Sequence, residues 1–281
     1  MVARLARCPQ AVMLRVVAQA RPARDNALCP ENGASHCPQP PFILCPFIGN
    51  PAVEKLIYLL HKAATEPLPA DFTRRVIDAL VPRLRAEGAS NIVFNVTDLN
   101  EKVRREAPSR IFGDWDGLAG ALHFWVDSVD QRFAIEPVMR EFTPAISGYL
   151  VTESVVQKTP RTWKDGERRP GVTQLAVICK APAVSEDAFY HNWQQVHSVQ
   201  SFELHPSRVS YVRNAVARVL TPGARDYRII VLEHWRELRD FTDDSRYFGS
   251  PEAVQEMYRD LPGFADGSST TTGPVSEYAF D

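Results

Sequence analysis

The sequence predicts an α+β fold: two consecutive β-α-β-β-α-β units packed sheet to sheet. Three observations predict it. Beyond residue 52 the chain reads twice, with matched strand and helix signals in the same order. Apolar residues alternate with period two in the strand segments and recur at helical spacing between them. The composition, 44% hydrophobic and 23% charged over 281 residues, is that of an ordinary globular chain, enough for one large domain or two of ordinary size.

Residues 1–52 are different material. They hold Cys8, Cys29, Cys37 and Cys45, four of the five cysteines, and eight of the 22 prolines. Proline at that density removes backbone donors and fixes φ, so this segment reads as a disordered extension. The cysteine gaps are too wide for the close pairs of a zinc site. Met1 to Arg24 is Arg-rich without an acid, which suits a targeting peptide, but it lacks the compact apolar run of a secretory signal. The folded chain is expected to begin at Val53, and an internal valine codon used as a start makes 1–52 a misplaced extension. The lone Cys179 falls in an apolar strand, and the folded part fits a reducing cytoplasm.

The elements follow in pairs. Strands Leu56 to Ala63 and Leu175 to Ala181 both end in Lys-Ala. Asp71-Phe72 and Asp187-Ala-Phe189 each open a helix of about four turns. Asn91 to Thr97 and Arg208 to Asn214 are alternating strands. Ala121-Leu-His-Phe-Trp125 lines up with Val231-Leu-Glu-His-Trp235. A second helix covers about Asp130 to Phe142, bent at Pro137. Its counterpart begins at Ser250-Pro251-Glu252, with serine at N-cap, proline at N1 and an acid in the first turn. Both units close on a strand, Val151-Thr-Glu153-Ser and Val275-Ser-Glu277-Tyr. This is the split-βαβ or ferredoxin-like order. The units span 53–156 and 172–281, with a polar linker at 157–171. Helices cover one face of each sheet. The other face is largely apolar and needs a second sheet, so the units are expected to close a barrel-like core on each other.

The second unit carries a resemblance. The stretch Ala183 to His197, with Phe189 and then Trp193-x3-His197 on the helix, followed by Tyr211 and Asn214 on the next strand, resembles the EthD family. Tyr258 to Asp266 resembles that family's second helix and lid. EthD proteins belong to the dimeric α+β barrel superfamily, and the resemblance implies that fold in an intrachain form. It covers about 171–281. The first unit matches through the internal repeat, with Val76 and Leu80 where the second has Trp193 and His197. Relatives in the superfamily include decarboxylases, dehydratases, isomerases, cyclases and cofactor-free monooxygenases, so the resemblance implies fold more than chemistry.

Spacing places Phe189, Trp193 and His197 on one helical stripe. The catalytic expectation is His197 as general acid–base and Tyr211 as the group holding a substrate oxygen; the alternatives are a satisfied helix-end histidine and a half-buried strand tyrosine. His123 and Glu233 are expected on the inter-sheet side together with Trp125 and Trp235, with His234 one position out of phase; otherwise they are solvated at strand edges. Phe264 would cover the pocket and Asp266 would orient an imidazole. Arg213 and Asn214 read as structural. Aromatic walls are expected to recognise a flat ligand.

The function expected is a cofactor-independent lyase or isomerase acting on a small aromatic or polyketide-like molecule. The alternative is a non-catalytic binding or accessory protein. A distant option is haem: Gly113-Asp-Trp-Asp116-Gly117 matches the Gly-x-x-Asp-Gly pattern of dye-decolourising peroxidases, though it also makes a good turn. No cofactor or metal is expected, since phosphate-loop, dinucleotide, nucleophile-elbow and metal-spacing motifs are absent. A net charge of −2 gives no footprint for nucleic acid, and no apolar run approaches the ~18 residues of a membrane span. The chain is expected to be a cytoplasmic monomer or homodimer.

Overall fold

The computed structural model describes residues 52–281; the expectations placed on 1–51 lie outside them. Eight strands form one closed barrel: β1 (Glu54–His61), β2 (Ser90–Val96), β3 (Leu118–Val126), β4 (Ala145–Gln157), β5 (Val172–Ile178), β6 (Arg208–Val219), β7 (Ile229–Trp235) and β8 (Thr271–Phe280). Their order around the barrel is β1-β3-β2-β8-β5-β7-β6-β4, and every pairing is antiparallel. The first four strands hold the order β4-β1-β3-β2, and the last four repeat it as β8-β5-β7-β6.

Closure is made by edges. Strand β2 bonds to β8 from Ile92–Phe280 to Val96–Ser276, and β4 bonds to β6 from Tyr149–Val219 to Gln157–Tyr211. Two open sheets stacked face to face would leave four strand edges bare; pairing them edge to edge satisfies every edge and curls the inner faces around one core. The sheet-to-sheet expectation is corrected to that extent.

The described residues also hold seven helices: α1 (72–86), α2 (Asn100–Glu106), α3 (Arg132–Arg140), α4 (186–204), α5 (Leu238–Thr242), α6 (Asp244–Tyr247) and α7 (Pro251–Asp260). Helices α1 and α4 widen into π-helical turns over Val76–Leu80 and His191–His197. Ser185 and Ser250 cap α4 and α7 through the backbone amides of Ala188 and Ala253. Pro137 lies inside α3, whose preceding turn is fixed by a capping box at Ser128.

Period two sorts the strand residues into two cores. Ile57, Leu59, Ala121, Tyr149, Val151, Leu175, Val177, Ile230, Leu232 and Val275 point into the barrel. Their neighbours Leu56, Tyr58, Leu60, Leu122 and Phe124 point outward under α1 and α3. In the second half Ala176, Tyr211, Ile229 and Val231 point outward under α4, against Phe189 and Trp193.

Register corrects one pairing read from sequence. Ile57 lies opposite His123, and Leu175 lies opposite Leu232. The structural counterpart of His123 is therefore Leu232, and that of Trp125 is His234. Aligning Trp125 with Trp235 is a slip of one residue, and one residue moves a side chain to the other face. His123, Trp125 and His234 belong to the inner face; Glu233 and Trp235 belong to the outer one. Trp235 packs among Phe241, Tyr247 and His205, with ring centroids 5.2, 4.8 and 6.1 Å away.

Candidate functional site

The barrel interior turns polar toward one end. Lys55, at the start of β1, is buried and ion-paired with Glu153 of β4. The same construction recurs half a barrel away. Lys55 sits opposite Val151 with Glu153 two residues on; Thr173 sits opposite Val275 with Glu277 two residues on. Thr173 Oγ1 is 3.1 Å from Glu277 Oε2, and the Arg169 guanidinium is 3.1 Å from Glu277 Oε1. Arg169 comes from the segment between β4 and β5, which runs along β8 and bonds to the Glu277 carbonyl. Two carboxylates thus face one interior from repeat-related positions, one held by a lysine and one by an arginine and a hydroxyl.

Two inward histidines, His123 and His234, belong to this end. His234 has both nitrogens committed: Nδ1 lies 2.8 Å from Thr173 Oγ1 and Nε2 lies 3.0 Å from the Pro170 carbonyl. Burial, with Arg169 nearby, pushes its pKa down to about 3, so the ring is neutral at pH 7. A neutral ring that donates Nε2–H to Pro170 accepts at Nδ1. The single Thr173 proton then has two acceptors to serve, His234 and Glu277. His123 is different. It is 2% exposed and its Nε2 has no partner. Burial, helped by the charge of Lys55, holds its pKa well below the usual 6.5. The inward Asn95, opposite Glu277, has neither amide atom bonded, and the Asn214 oxygen, opposite Glu153, is also free. Buried polar groups are almost always paired. Orphans gathered along one barrel interior are what a bound polar molecule or ordered waters would satisfy.

A cavity of about 120 Å³ opens here, lined by Lys55, His123, Glu153, Arg169, Thr173 and Glu277, and also by the expected Glu233 and His234. None of its lining residues is phenylalanine, tyrosine or tryptophan. The expected aromatic walls are absent from it, and its polarity suits a small polar ligand.

The residues expected to be catalytic gather elsewhere, on the outer face of the second half. His197 lies 4.9 Å from the Phe264 ring, between centroids, and its Nδ1 is buried without a partner. Burial pushes its pKa down to about 4, so this imidazole does not titrate near pH 7. The Tyr211 hydroxyl is 3.0 Å from Ser198 Oγ, which also bonds the Trp193 carbonyl and receives Arg213. Burial pushes the Tyr211 phenol up to about 12. Trp193 is fully buried between α4 and the sheet. Glu233 is paired with Arg208 on this outer side. Burial pushes the Glu233 carboxyl up, but the charge of Arg208, with His205 adding to it, outweighs this and holds it below its usual range. Asp266 does not orient an imidazole: its carboxylate accepts from the backbone amide and hydroxyl of Ser268, capping a short turn. The structure therefore brings His197, Tyr211, Trp193 and Phe264 to one side of the sheet and His123, Trp125 and His234 to the other, while Glu233 pairs its carboxylate with Arg208 and still contributes to the lining of the cavity.

Lys55, Arg169, Thr173 and Asn95 were not singled out in sequence. The signal that could have found part of the set is the repeat itself, which matches Glu153 with Glu277.

The Gly113–Gly117 segment forms a surface turn. Gly113 has φ +70°, and a Cβ there would meet the Thr270 carbonyl at 2.2 Å. Asp114 and Asp116 pair with Arg225 and Arg104 at the surface, with side chains 84% and 55% exposed. Carboxylates turned to solvent do not build the buried pocket that a haem needs, so these residues do not fit that group.

No protein-family model matches the chain, and no curated protein matches it. Solved structures do. An anthrone oxidase-like protein superposes with a TM-score of 0.51 at 13% identity, over 81% of this chain and 91% of its own. A "putative monooxygenase" from Lactobacillus acidophilus gives 0.45 at 10% identity, over 81% and 99%. A dye-decolourising peroxidase from Bacteroides thetaiotaomicron gives 0.42 at 8%, over 80% and 93%. At these identities the likeness concerns the fold alone, and the first of them supports it. The closed α+β barrel is thus a fold shared with known proteins. Among the described residues no helix is long and apolar enough to cross a membrane.

Proposed function

We propose that this chain is an EthD-like barrel of two tandem ferredoxin-like units, 53–156 and 172–281, that binds a small polar metabolite inside the barrel and moves a proton on it without a cofactor, as a lyase or isomerase. The observation that carries the reading is the buried, unpartnered Nε2 of His123 at a cavity beside the Lys55–Glu153 pair. A neutral imidazole with an open nitrogen accepts a proton or a hydrogen bond from a ligand. The Lys55 ammonium stands ready for the oxyanion that proton abstraction next to a carbonyl creates. Burial of both from water makes that charge interaction stronger than it would be in bulk solvent. His123 is held well below 6.5, so it gains a proton only as negative charge develops beside it.

Size narrows the ligand. A cavity of about 120 Å³ is slightly smaller than the ~150 Å³ engineered cavity that accepts benzene. Small oxo- and hydroxy-acids fit; polyketide-like ring systems do not. The test is a thermal-shift panel on the full chain, with small oxo-acids, hydroxy-acids and monocyclic phenols beside multi-ring aromatics. A ligand at 100 times its Kd adds about 2.7 kcal/mol, or roughly 5–10 °C for a chain of this size. The reading expects shifts from small polar acids that disappear in His123→Leu. Shifts from multi-ring aromatics alone would count against it. Binding without turnover would leave the non-catalytic alternative.

A second reading keeps the chemistry at His197 and Tyr211, favoured by the buried, unpartnered Nδ1 of His197 beside Phe264. It expects His197→Ala, and not His123→Leu, to abolish turnover. Because the barrel satisfies its own strand edges, closure needs no second chain, and we take a monomer as sufficient.

A further inference from the structure

The opposite end of the barrel holds a second constellation. In the β1–β4 ladder Leu59 pairs with Ser147, and His61 lies one pleat further on. Leu59 belongs to the interior core, so Ser147 and His61 also face inward. Ser147 Oγ and His61 Nε2 are 2.8 Å apart. Gly117 lines the same cavity as the ring, and Thr143 Oγ1 donates to the His61 carbonyl, fixing the strand end that carries the imidazole. In the tautomer that carries its proton on Nδ1, Nε2 accepts from Ser147. A serine oxygen within hydrogen-bond reach of an imidazole is the pairing that activates a hydroxyl nucleophile.

The pair lines a cavity of about 440 Å³, within the ~300–1,000 Å³ range of small-molecule sites. Leu118 and Ile146 give it an apolar wall. Its one cationic lining residue, Arg225, is 3.2 Å from its one carboxylate, Asp114, so the charged lining is balanced. Such a lining suits a neutral ligand with a short aliphatic part. Nothing in the barrel's other end uses these residues.

We propose that Ser147 and His61 act as nucleophile and base in hydrolysing small neutral esters in this cavity. Ser147 Oγ bonds to the acyl carbon while its proton passes to His61 Nε2. The ester C–O bond breaks, and the leaving alkoxide takes that proton and departs as the alcohol. Water then attacks the acyl-serine, giving a proton to His61; the Ser147 Oγ–acyl bond breaks, serine regains a proton, and the acid is released. No oxidant or metal enters the balance.

The test uses the full chain with a fluorophosphonate probe and, separately, p-nitrophenyl acetate. The expected result is one phosphonyl adduct that peptide mass spectrometry places on Ser147. Ester hydrolysis is expected to fall to background in Ser147→Ala and by at least about 100-fold in His61→Gln. Val199→Ser, on the exposed side of α4, is expected to leave both readouts unchanged. Labelling elsewhere, no labelling, or hydrolysis undiminished in a folded Ser147→Ala chain overturns the proposal. Should Ser147→Ala fail to fold, the adduct map of the unmodified chain decides by itself.

Discussion

Removing one partner of the Lys55–Glu153 pair should cost far more from one side than from the other. The Lys55 side chain is 7% exposed and that of Glu153 is 23%. Glu153→Gln strands an ammonium almost wholly out of water. Breaking a buried pair this way costs about 3–5 kcal/mol, and the low end applies because Glu277 still attracts Lys55. Lys55→Met keeps the aliphatic stem packed and strands a carboxylate that water already reaches, so about 1–2 kcal/mol is expected. The double variant Lys55→Met/Glu153→Leu leaves no unpaired charge and should sit within about 1 kcal/mol of the unmodified chain. Urea unfolding reads all three; with m near 2–3 kcal/mol/M, Glu153→Gln lowers the midpoint by roughly 1–1.5 M. pH supplies a second axis. Burial holds Lys55 below 10.5 in the fold, so above that depressed value the unfolded chain binds more protons and stability from this group rises with pH toward 10.5. Losing Glu153 depresses the folded value further, so the Glu153→Gln deficit should shrink between pH 7 and 9.5. A Lys55→Met deficit equal to or larger than that of Glu153→Gln, or a double variant worse than either, would refute the reasoning.

The remaining predictions are shorter. His197 and His234 titrate near 4 and 3 in the fold against about 6.5 unfolded, so their stabilisation is complete above 6.5 and is lost as pH falls below it. At pH 5 each group should cost about 2 kcal/mol; urea midpoints at pH 7 and pH 5 measure the drop, and His197→Phe should remove about half of what the two groups contribute. Trp235→Ala should cost about 3–5 kcal/mol, because the ring is fully buried among aromatics. Trp125→Ala, at a half-buried position, should cost less than half of that in the same assay. Gly171 has φ +105°, and a Cβ there would meet the Trp235 carbonyl at 2.1 Å. Gly171→Ala should therefore lower Tm by at least several degrees, whereas Gly223→Ala, with open space around it, should cost only its backbone strain.

Much of the architecture is legible in the sequence because local signals agree with one another. The Ser250-Pro251-Glu252 start, the helix around Pro137 and the alternation of β2 and β6 are all written in neighbouring residues. Closure through β2–β8 and β4–β6 is not, since edge pairing between distant strands leaves no mark in either strand alone. The site suffers from a sharper difficulty. With a period of two, an alignment wrong by one residue inverts every face, and conspicuous tryptophans at 125 and 235 invite that error. Glu277 and Glu153 were visible as a matched pair, but Arg169 reaches the cavity from a polar segment whose path only the β8 contacts fix. Lys55 reads as an ordinary strand-end charge until its strand is placed inside a barrel.

The ring of strands has a consequence for how the chain can be divided. A cut between Gln157 and Val172 severs one connection and no ladder. Each resulting half would present two bare edges, β2 and β4 on one side and β8 and β6 on the other, and each edge finds its complement only on the other fragment. Co-expressed halves should therefore reassemble into the barrel and recover any activity that depends on both, while either half alone should self-associate through the same edges. The protein is in that sense a built-in split reporter, its two pieces held in register by hydrogen bonds along two seams.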